Sequence, residues 1–232
     1  MKKVALIFGT RPEAVKMAPV YLALKDSKLE PIVIATAQHR QMLDQVLGLF
    51  GINPDFDLDI MQERQSLSGL TSRLIQKLDE IYAANSFDAT LVQGDTTSTF
   101  TGALVSFYHK IPVGHVEAGL RTDNIYNPFP EEVNRRLNGV LSTYHYPPTE
   151  SARGNLLREG VPSDRMIVTG NTVIDALLWT IENKAGATSS FREKFGLESG
   201  QYILMTMHRR ENWGEPMRNV MLAVRDILDS MP

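Results

Sequence analysis

Val4-Ala5-Leu6-Ile7-Phe8-Gly9-Thr10-Arg11-Pro12-Glu13 reads as a buried strand running straight into a helix. The continuous apolar run Val4–Phe8 suits a strand covered on both faces, and Gly9 ends it. Thr10 stands three residues before Glu13, the spacing of a capping box. Pro12 falls in the first helical turn, where its missing N–H costs nothing. The same alternation continues along the chain. Strands are expected at about 3–8, 31–37, 88–93, 111–116, 143–147 and 165–169, and helices at about 12–26, 39–50, 67–84, 97–109, 130–141 and 149–159. Strands alternating with helices mark βα units around a parallel sheet, so the expected fold class is α/β, a Rossmann-like doubly wound sheet.

The chain has 232 residues, room for one large domain and part of another. Residues 1–171 form the expected Rossmann-like domain. Residues 172–190 comprise a helix from about Thr172 to Lys184 and the small, polar stretch Ala185–Ser190, read as an interdomain crossing. Residues 191–232 then offer a short helix near Phe191–Phe195, a strand at Tyr202–Thr206, a polar loop from His208 and a helix from about Glu215. One βα unit cannot cover both faces of its own sheet, so this is the expected start of an incomplete second Rossmann-like domain.

Composition excludes several classes. With 24 basic and 27 acidic residues the net charge is −3 and the basic residues are scattered, which argues against nucleic acid as a partner. The absence of cysteine removes disulfides, thiolate nucleophiles and cysteine-ligated zinc together, and makes a reducing cytoplasm the expected setting. Val4–Phe8 is too short for a signal-peptide core or a membrane span.

Ligands of doubly wound sheets bind beyond the carboxyl ends of the strands, which sets where chemistry is sought. After the first strand, Arg11 and Lys16 sit at a helix start that attracts phosphate or carboxylate; a capped helix with solvent-facing basic residues is the alternative. After the third strand comes Asp95, which could equally be a helix cap. After the fourth, His115 and Glu117 are expected on one side of the chain by strand alternation. His115-x-Glu117 resembles part of a zinc-deaminase site, but those sites need cysteines, and His39, His109, His115, His145 and His208 show no metal-ligand spacing. Glu131 and Glu132 stand four residues before Arg135 and Arg136, where two surface ion pairs are the alternative to a site. His208, Arg209 and Arg210 follow the expected strand of the second domain. There is neither a Gly-x-Gly-x-x-Gly nor a Walker A loop, hence no expectation of a dinucleotide or ATP.

Six stretches, in order, are similar to signatures of the bacterial, non-hydrolysing UDP-N-acetylglucosamine 2-epimerases: Gly9-Thr-Arg-Pro-Glu-Ala-Val-Lys-Met-Ala-Pro19, Gln93-Gly-Asp-Thr-Thr97, His115-Val-Glu-Ala-Gly-Leu-Arg-Thr122, Pro128-Phe-Pro-Glu-Glu-Val-Asn-Arg-Arg136, Thr169-Gly-Asn-Thr-Val-Ile-Asp-Ala176 and His208-Arg-Arg-Glu-Asn212. The resemblance implies two Rossmann-like domains in the glycosyltransferase-B arrangement, a homodimer at full length, and a chain running past Pro232. It implies interconversion of UDP-N-acetylglucosamine and UDP-N-acetylmannosamine by elimination of UDP to 2-acetamidoglucal and re-addition, without a cofactor. Asp95, Glu117 and Glu131 would then be acid/base or charge-stabilising residues, His208 and Arg11 would hold the diphosphate, and Lys16 and Arg135 would support them. Gln38, Gln41, Arg64, Gln65, Glu131 and Arg209 match an activating second site for UDP-N-acetylglucosamine in some members. A hydrolysing relative, which releases free UDP, and a non-catalytic sugar-nucleotide-binding fragment are the rival expectations; a glycosyltransferase of the same architecture fits the fold but not the motifs.

Overall fold

The computed structural model describes residues 1–36, 40–61, 65–184, 192–197, 202–207 and 213–230, leaving aside the side chains of Arg40 and Gln41. The chain divides into two compact units, Met1–Asn183 and Lys184–Pro232.

The first unit is a six-stranded parallel sheet flanked by helices. Its strands are β1 (Lys2–Phe8), β2 (Leu29–Ala35), β3 (Phe56–Asp57), β4 (Ala89–Gln93), β5 (Val113–Val116) and β6 (Tyr144–Tyr146), in the order β3-β2-β1-β4-β5-β6. Its helices are α1 (Arg11–Lys25), α2 (Arg40–Phe50), α3 (Leu67–Ala84), α4 (Thr97–Tyr108), α5 (Glu131–Leu141), α6 (Glu150–Arg158) and α7 (Thr172–Asn183). The expected doubly wound sheet is therefore present. Burial on both faces explains why β1 is apolar throughout rather than alternating. Val4, Leu6 and Phe8 enter one core with Met17 and Ala18 of α1 and Leu43, Leu47 and Phe50 of α2; Ala5 and Ile7 enter the other with Leu78 and Tyr82 of α3 and Val105 of α4. Strand order reverses between β1 and β4, so a crevice opens beyond their carboxyl ends.

Several expectations are corrected. The stretch 165–169 forms no strand: it makes one parallel bridge, His145 to Met166, and hydrogen bonds from the Ile167 and Thr169 amides to the carbonyls of His145 and Pro147. It tracks the outer edge of β6 without building a ladder. The two-residue β3 was not expected, because so short an edge strand leaves almost no periodic signal. The helix from Thr172, assigned to the crossing, packs on the first unit's core through Trp179, whose ring lies 4.7 Å from that of Phe50 at a tilt of 34°.

In the second unit, 192–195 is a helical turn and α8 spans Glu215–Ser230. The expected strand at 202–206 is not formed; Ile203 and Leu204 are exposed, and a strand needs a neighbouring strand to take its backbone hydrogen bonds. Among the described residues no helix is long and apolar enough to cross a membrane.

Candidate active site

The crevice at the switch point is a cleft of about 190 Å³ lined by the turns after β1, β4 and β5. Thr10, Glu13 and Lys16 come from the first, Gln93, Gly94, Asp95 and Thr96 from the second, and Glu117 and Leu120 from the third, with Arg135 reaching in from α5. Among residues singled out from sequence, the cleft thus gathers Lys16, Asp95, Glu117 and Arg135.

Glu117 follows the last residue of β5 and adopts φ = +64°, a conformation that costs a side-chain-bearing residue roughly 1–3 kcal/mol. The strain is held by the Glu117 amide, which donates to the Tyr146 carbonyl at 3.0 Å, and by Gly119, also at positive φ. A Cβ on Gly119 would stand 2.3 Å from the Ala152 carbonyl oxygen, so only glycine lets the turn lie against α6. The distorted turn leaves the Glu117 carboxylate in the cleft rather than in the core. There Lys16 and the Gln93 amide both donate to Oε2, and the Asn171 amide donates to Oε1 at 3.4 Å. His115, by contrast, does not accompany it. Its side chain is buried, donating from Nε2 to the Gly94 carbonyl at 2.7 Å, and burial pushes its pKa down to about 4. His115 lies behind the cleft as a brace for the turn that carries Asp95.

Asp95 is not the cap of α4; Thr96 is, its hydroxyl accepting from the Thr99 amide at 3.2 Å. Asp95 instead meets Arg135, while the Asn134 side chain donates to the Asp95 backbone carbonyl at 2.9 Å. The two surface ion pairs expected along α5 reduce to one. Glu132 and Arg136 pair at 3.0 Å, but Arg135 turns away from Glu131 to bridge Asp95 and, at 3.3 Å, Glu132. Glu132 is fully buried and also accepts from the Thr122 amide at 3.2 Å. Glu131 stands half-buried at the first position of α5 and does not line the cleft. Arg11 is exposed at the start of α1, also outside the lining.

Two residues of this assembly escaped the sequence reading. Glu132 looked like half of a surface pair. Glu13 looked like half of a capping box, which it does form. Its buried carboxylate, however, accepts from the Gly9 and Thr10 amides at 3.0 and 2.8 Å, from the Thr10 hydroxyl at 2.8 Å, and from the Thr96 and Thr99 hydroxyls at 2.6 and 2.9 Å. A buried carboxylate with five donors is the remaining signal, and it exists only in three dimensions.

Of the residues matched to a second site, Gln65 is described: its carbonyl accepts from Arg73 and its amide contacts the Met61 sulfur at 3.1 Å. Gln38, Arg64, His208, Arg209 and the Gln41 side chain lie outside the described residues.

Comparison with known proteins adds an independent line. The family described as UDP-N-acetylglucosamine 2-epimerase matches residues 22–232. A putative UDP-N-acetylglucosamine 2-epimerase of Thermotoga maritima is 54% identical over 99% of this chain and 61% of its own length. The UDP-N-acetylglucosamine 2-epimerase of Bacillus subtilis is 52% identical over 97% of this chain and 59% of its own. The crystal structure of the Neisseria meningitidis UDP-GlcNAc 2-epimerase bound to UDP-GlcNAc superposes with a TM-score of 0.87 at 49% identity, covering 100% of this chain and 64% of that one. The chain therefore spans less than two thirds of the length of these relatives.

Proposed function

The chain belongs to the UDP-N-acetylglucosamine 2-epimerase family, and from that premise we propose that the natural protein is of the non-hydrolysing type, interconverting UDP-N-acetylglucosamine and UDP-N-acetylmannosamine. One observation carries the reading. A single cleft at the sheet's switch point holds, besides the buried Glu13, two carboxylates that each contact a cation, Asp95 with Arg135 and Glu117 with Lys16.

That pairing suits the chemistry. The C2 proton of the sugar is not next to a carbonyl, so its removal alone would leave an unstabilised carbanion. If the C1–O bond to UDP breaks as a carboxylate takes the proton, the C2–H electrons become the C1–C2 double bond of 2-acetamidoglucal and the negative charge leaves with UDP. Re-addition reverses each change, with the proton delivered to the opposite face of C2 and a phosphate oxygen returning to C1. No electrons are gained or lost overall, so the cycle needs no cofactor. Proton transfer by placed carboxylates is worth about 10²–10⁴-fold, and cations held in place stabilise the departing diphosphate without reorganising.

In this proposal Asp95 and Glu117 serve the two faces of C2, with Glu131 a third acid/base or charge-stabilising group. Lys16, Arg135, Arg11 and His208 attend the diphosphate. The first unit's cleft of about 190 Å³ is smaller than the roughly 300–1,000 Å³ of sites that enclose a whole ligand. The isolated 232-residue stretch is accordingly proposed to have little or no turnover. Further parts of the proposal are the glycosyltransferase-B arrangement, a homodimer, a cytoplasmic role in envelope polysaccharide precursors, and activation by UDP-N-acetylglucosamine at a second site including Gln38, Gln41, Arg64, Gln65, Glu131 and Arg209.

The test is incubation of the natural protein with UDP-N-acetylglucosamine in D₂O, followed by proton and phosphorus NMR. The expected products are both sugar nucleotides carrying deuterium at C2, with no steady release of UDP. Free UDP accumulating together with N-acetylmannosamine would establish the hydrolysing alternative, and no deuterium exchange would overturn the proposal.

A further inference from the structure

We propose that Glu13 is a positioning residue that sets the distance between the two working ends of the cleft. This inference rests on the function proposed above. The Glu13 side chain is 2% exposed, and its two carboxylate oxygens serve different turns. Oε2 takes the Gly9 and Thr10 amides and the Thr10 hydroxyl, fixing the turn that opens α1, where the helix start and Arg11 favour a departing phosphate. Oε1 takes the Thr96 and Thr99 hydroxyls, fixing the turn that opens α4 immediately after Asp95. The Thr99 hydroxyl also reaches the Gln93 carbonyl at 2.6 Å, so the same strut extends to the residue whose side chain contacts Glu117.

A helix cap needs only the first set of contacts. The second set spans 83 and 86 residues of sequence and does nothing for α1. Its effect is to tie the β1–α1 turn to the β4–α4 turn across the point where strand order reverses, which no hydrogen bond of the sheet itself does beyond the strand ends. Close packing behind the turn leaves it no slack: a Cβ on Gly9 would stand 1.9 Å from the Thr36 hydroxyl and 2.8 Å from that of Ser98. The length of the Glu13 side chain thus becomes the spacer between leaving-group end and proton-transfer end.

Length and charge can be separated. Glu13→Asp keeps the carboxylate but removes one methylene, so it cannot reach both turns. Glu13→Gln keeps the length: its oxygen can take the place of Oε2, and its amide can donate to the Thr96 and Thr99 hydroxyls, which accept as readily as they donate. In the natural protein, turnover and UDP affinity are measured for the wild type and both variants, with thermal melts to check folding. The expected result is a loss in kcat of about 10²-fold for Glu13→Asp, the scale of a displacement near 1 Å. Its UDP affinity stays close to that of the wild type, and Glu13→Gln loses less kcat than Glu13→Asp. A general packing role would instead lower both parameters in step with the folded fraction and show no rescue by length. Should Glu13→Asp fail to fold, the near-isosteric Thr99→Val removes the hydroxyl that contacts both Glu13 and the Gln93 carbonyl at the α4 end and is expected to lower kcat without weakening UDP binding; unchanged kcat there overturns the inference. An Asp variant as active as the Gln variant also overturns it, leaving the function reading intact. A wild-type protein without turnover overturns both.

Discussion

His115 offers a test of how the Asp95 turn is braced, because its proton count changes on unfolding. In the folded chain burial holds its pKa near 4, against an ordinary value of 6.5, so the native imidazole stays neutral where the unfolded one is charged. The unfolded state therefore binds more protons below pH 6.5, and stability falls as the pH drops from there to about 4. A full shift of this size corresponds to about 3 kcal/mol, and the part expressed between pH 7.5 and pH 5 is about 2 kcal/mol. His115→Asn removes that titration while keeping an N–H that can reach toward the Gly94 carbonyl. Urea unfolding at both pH values, for wild type and variant, isolates the effect, since every other titrating group is common to the two. The variant is expected to be less stable at pH 7.5, because it leaves a gap in the core, and to lose about 2 kcal/mol less than the wild type on going to pH 5. Equal losses in the two proteins would refute a neutral, buried His115 and with it the brace on the Asp95 turn.

Other outcomes follow from the same geometry. Gly119→Ala should cost about 1–3 kcal/mol through its clash with the Ala152 carbonyl, plus strain at positive φ, read as a lowered melting temperature. Glu132→Gln should destabilise by on the order of 3 kcal/mol by leaving the nearly buried Arg135 guanidinium short of countercharge, and should lower turnover by loosening Arg135. Asp95→Asn should retain folding stability to within about 1 kcal/mol, because Asp95 is partly exposed and Arg135 keeps Glu132 as its countercharge, while slowing deuterium exchange at C2 by about 10²–10⁴-fold; an unaffected exchange rate would remove Asp95 from proton transfer.

The sheet was legible because burial on both faces writes a strong signal. A run such as Val4–Phe8 can only be a strand in the middle of a covered sheet or a piece of buried helix, and the Gly9-Thr10 break with its capping box settles between them. The signal weakens toward the edge. Phe56–Asp57 has two ladder residues, and 165–169 is as apolar as a strand yet makes a single bridge. Apolarity alone does not make a strand, since Ile167 is exposed; pairing depends on what stands alongside. Tyr202–Thr206 fails for the same reason, with the pattern of a strand and, among the described residues, no strand pairing with it.

Site residues were legible by position more than by partner. The rule that ligands gather beyond the carboxyl ends of strands located Asp95 and Glu117 without any side-chain geometry. It could not say that His115, two residues before Glu117, would point into the core, because the positive φ at Glu117 breaks the alternation on which that expectation rested. Nor could helical spacing assign Arg135. An exposed pair four residues apart on a helix is worth only about 0.3–0.5 kcal/mol. Arg135 is nearly buried, where an unmatched guanidinium is costly, so it pairs with two carboxylates at once: Glu132, with no exposed surface, and the partly exposed Asp95, forty residues away in sequence. The local pair with Glu131 loses to a contact that exists only once the sheet has brought β4 beside the start of α5. Burial, which the sequence encodes as a pattern, thus decides partners that the sequence does not encode at all.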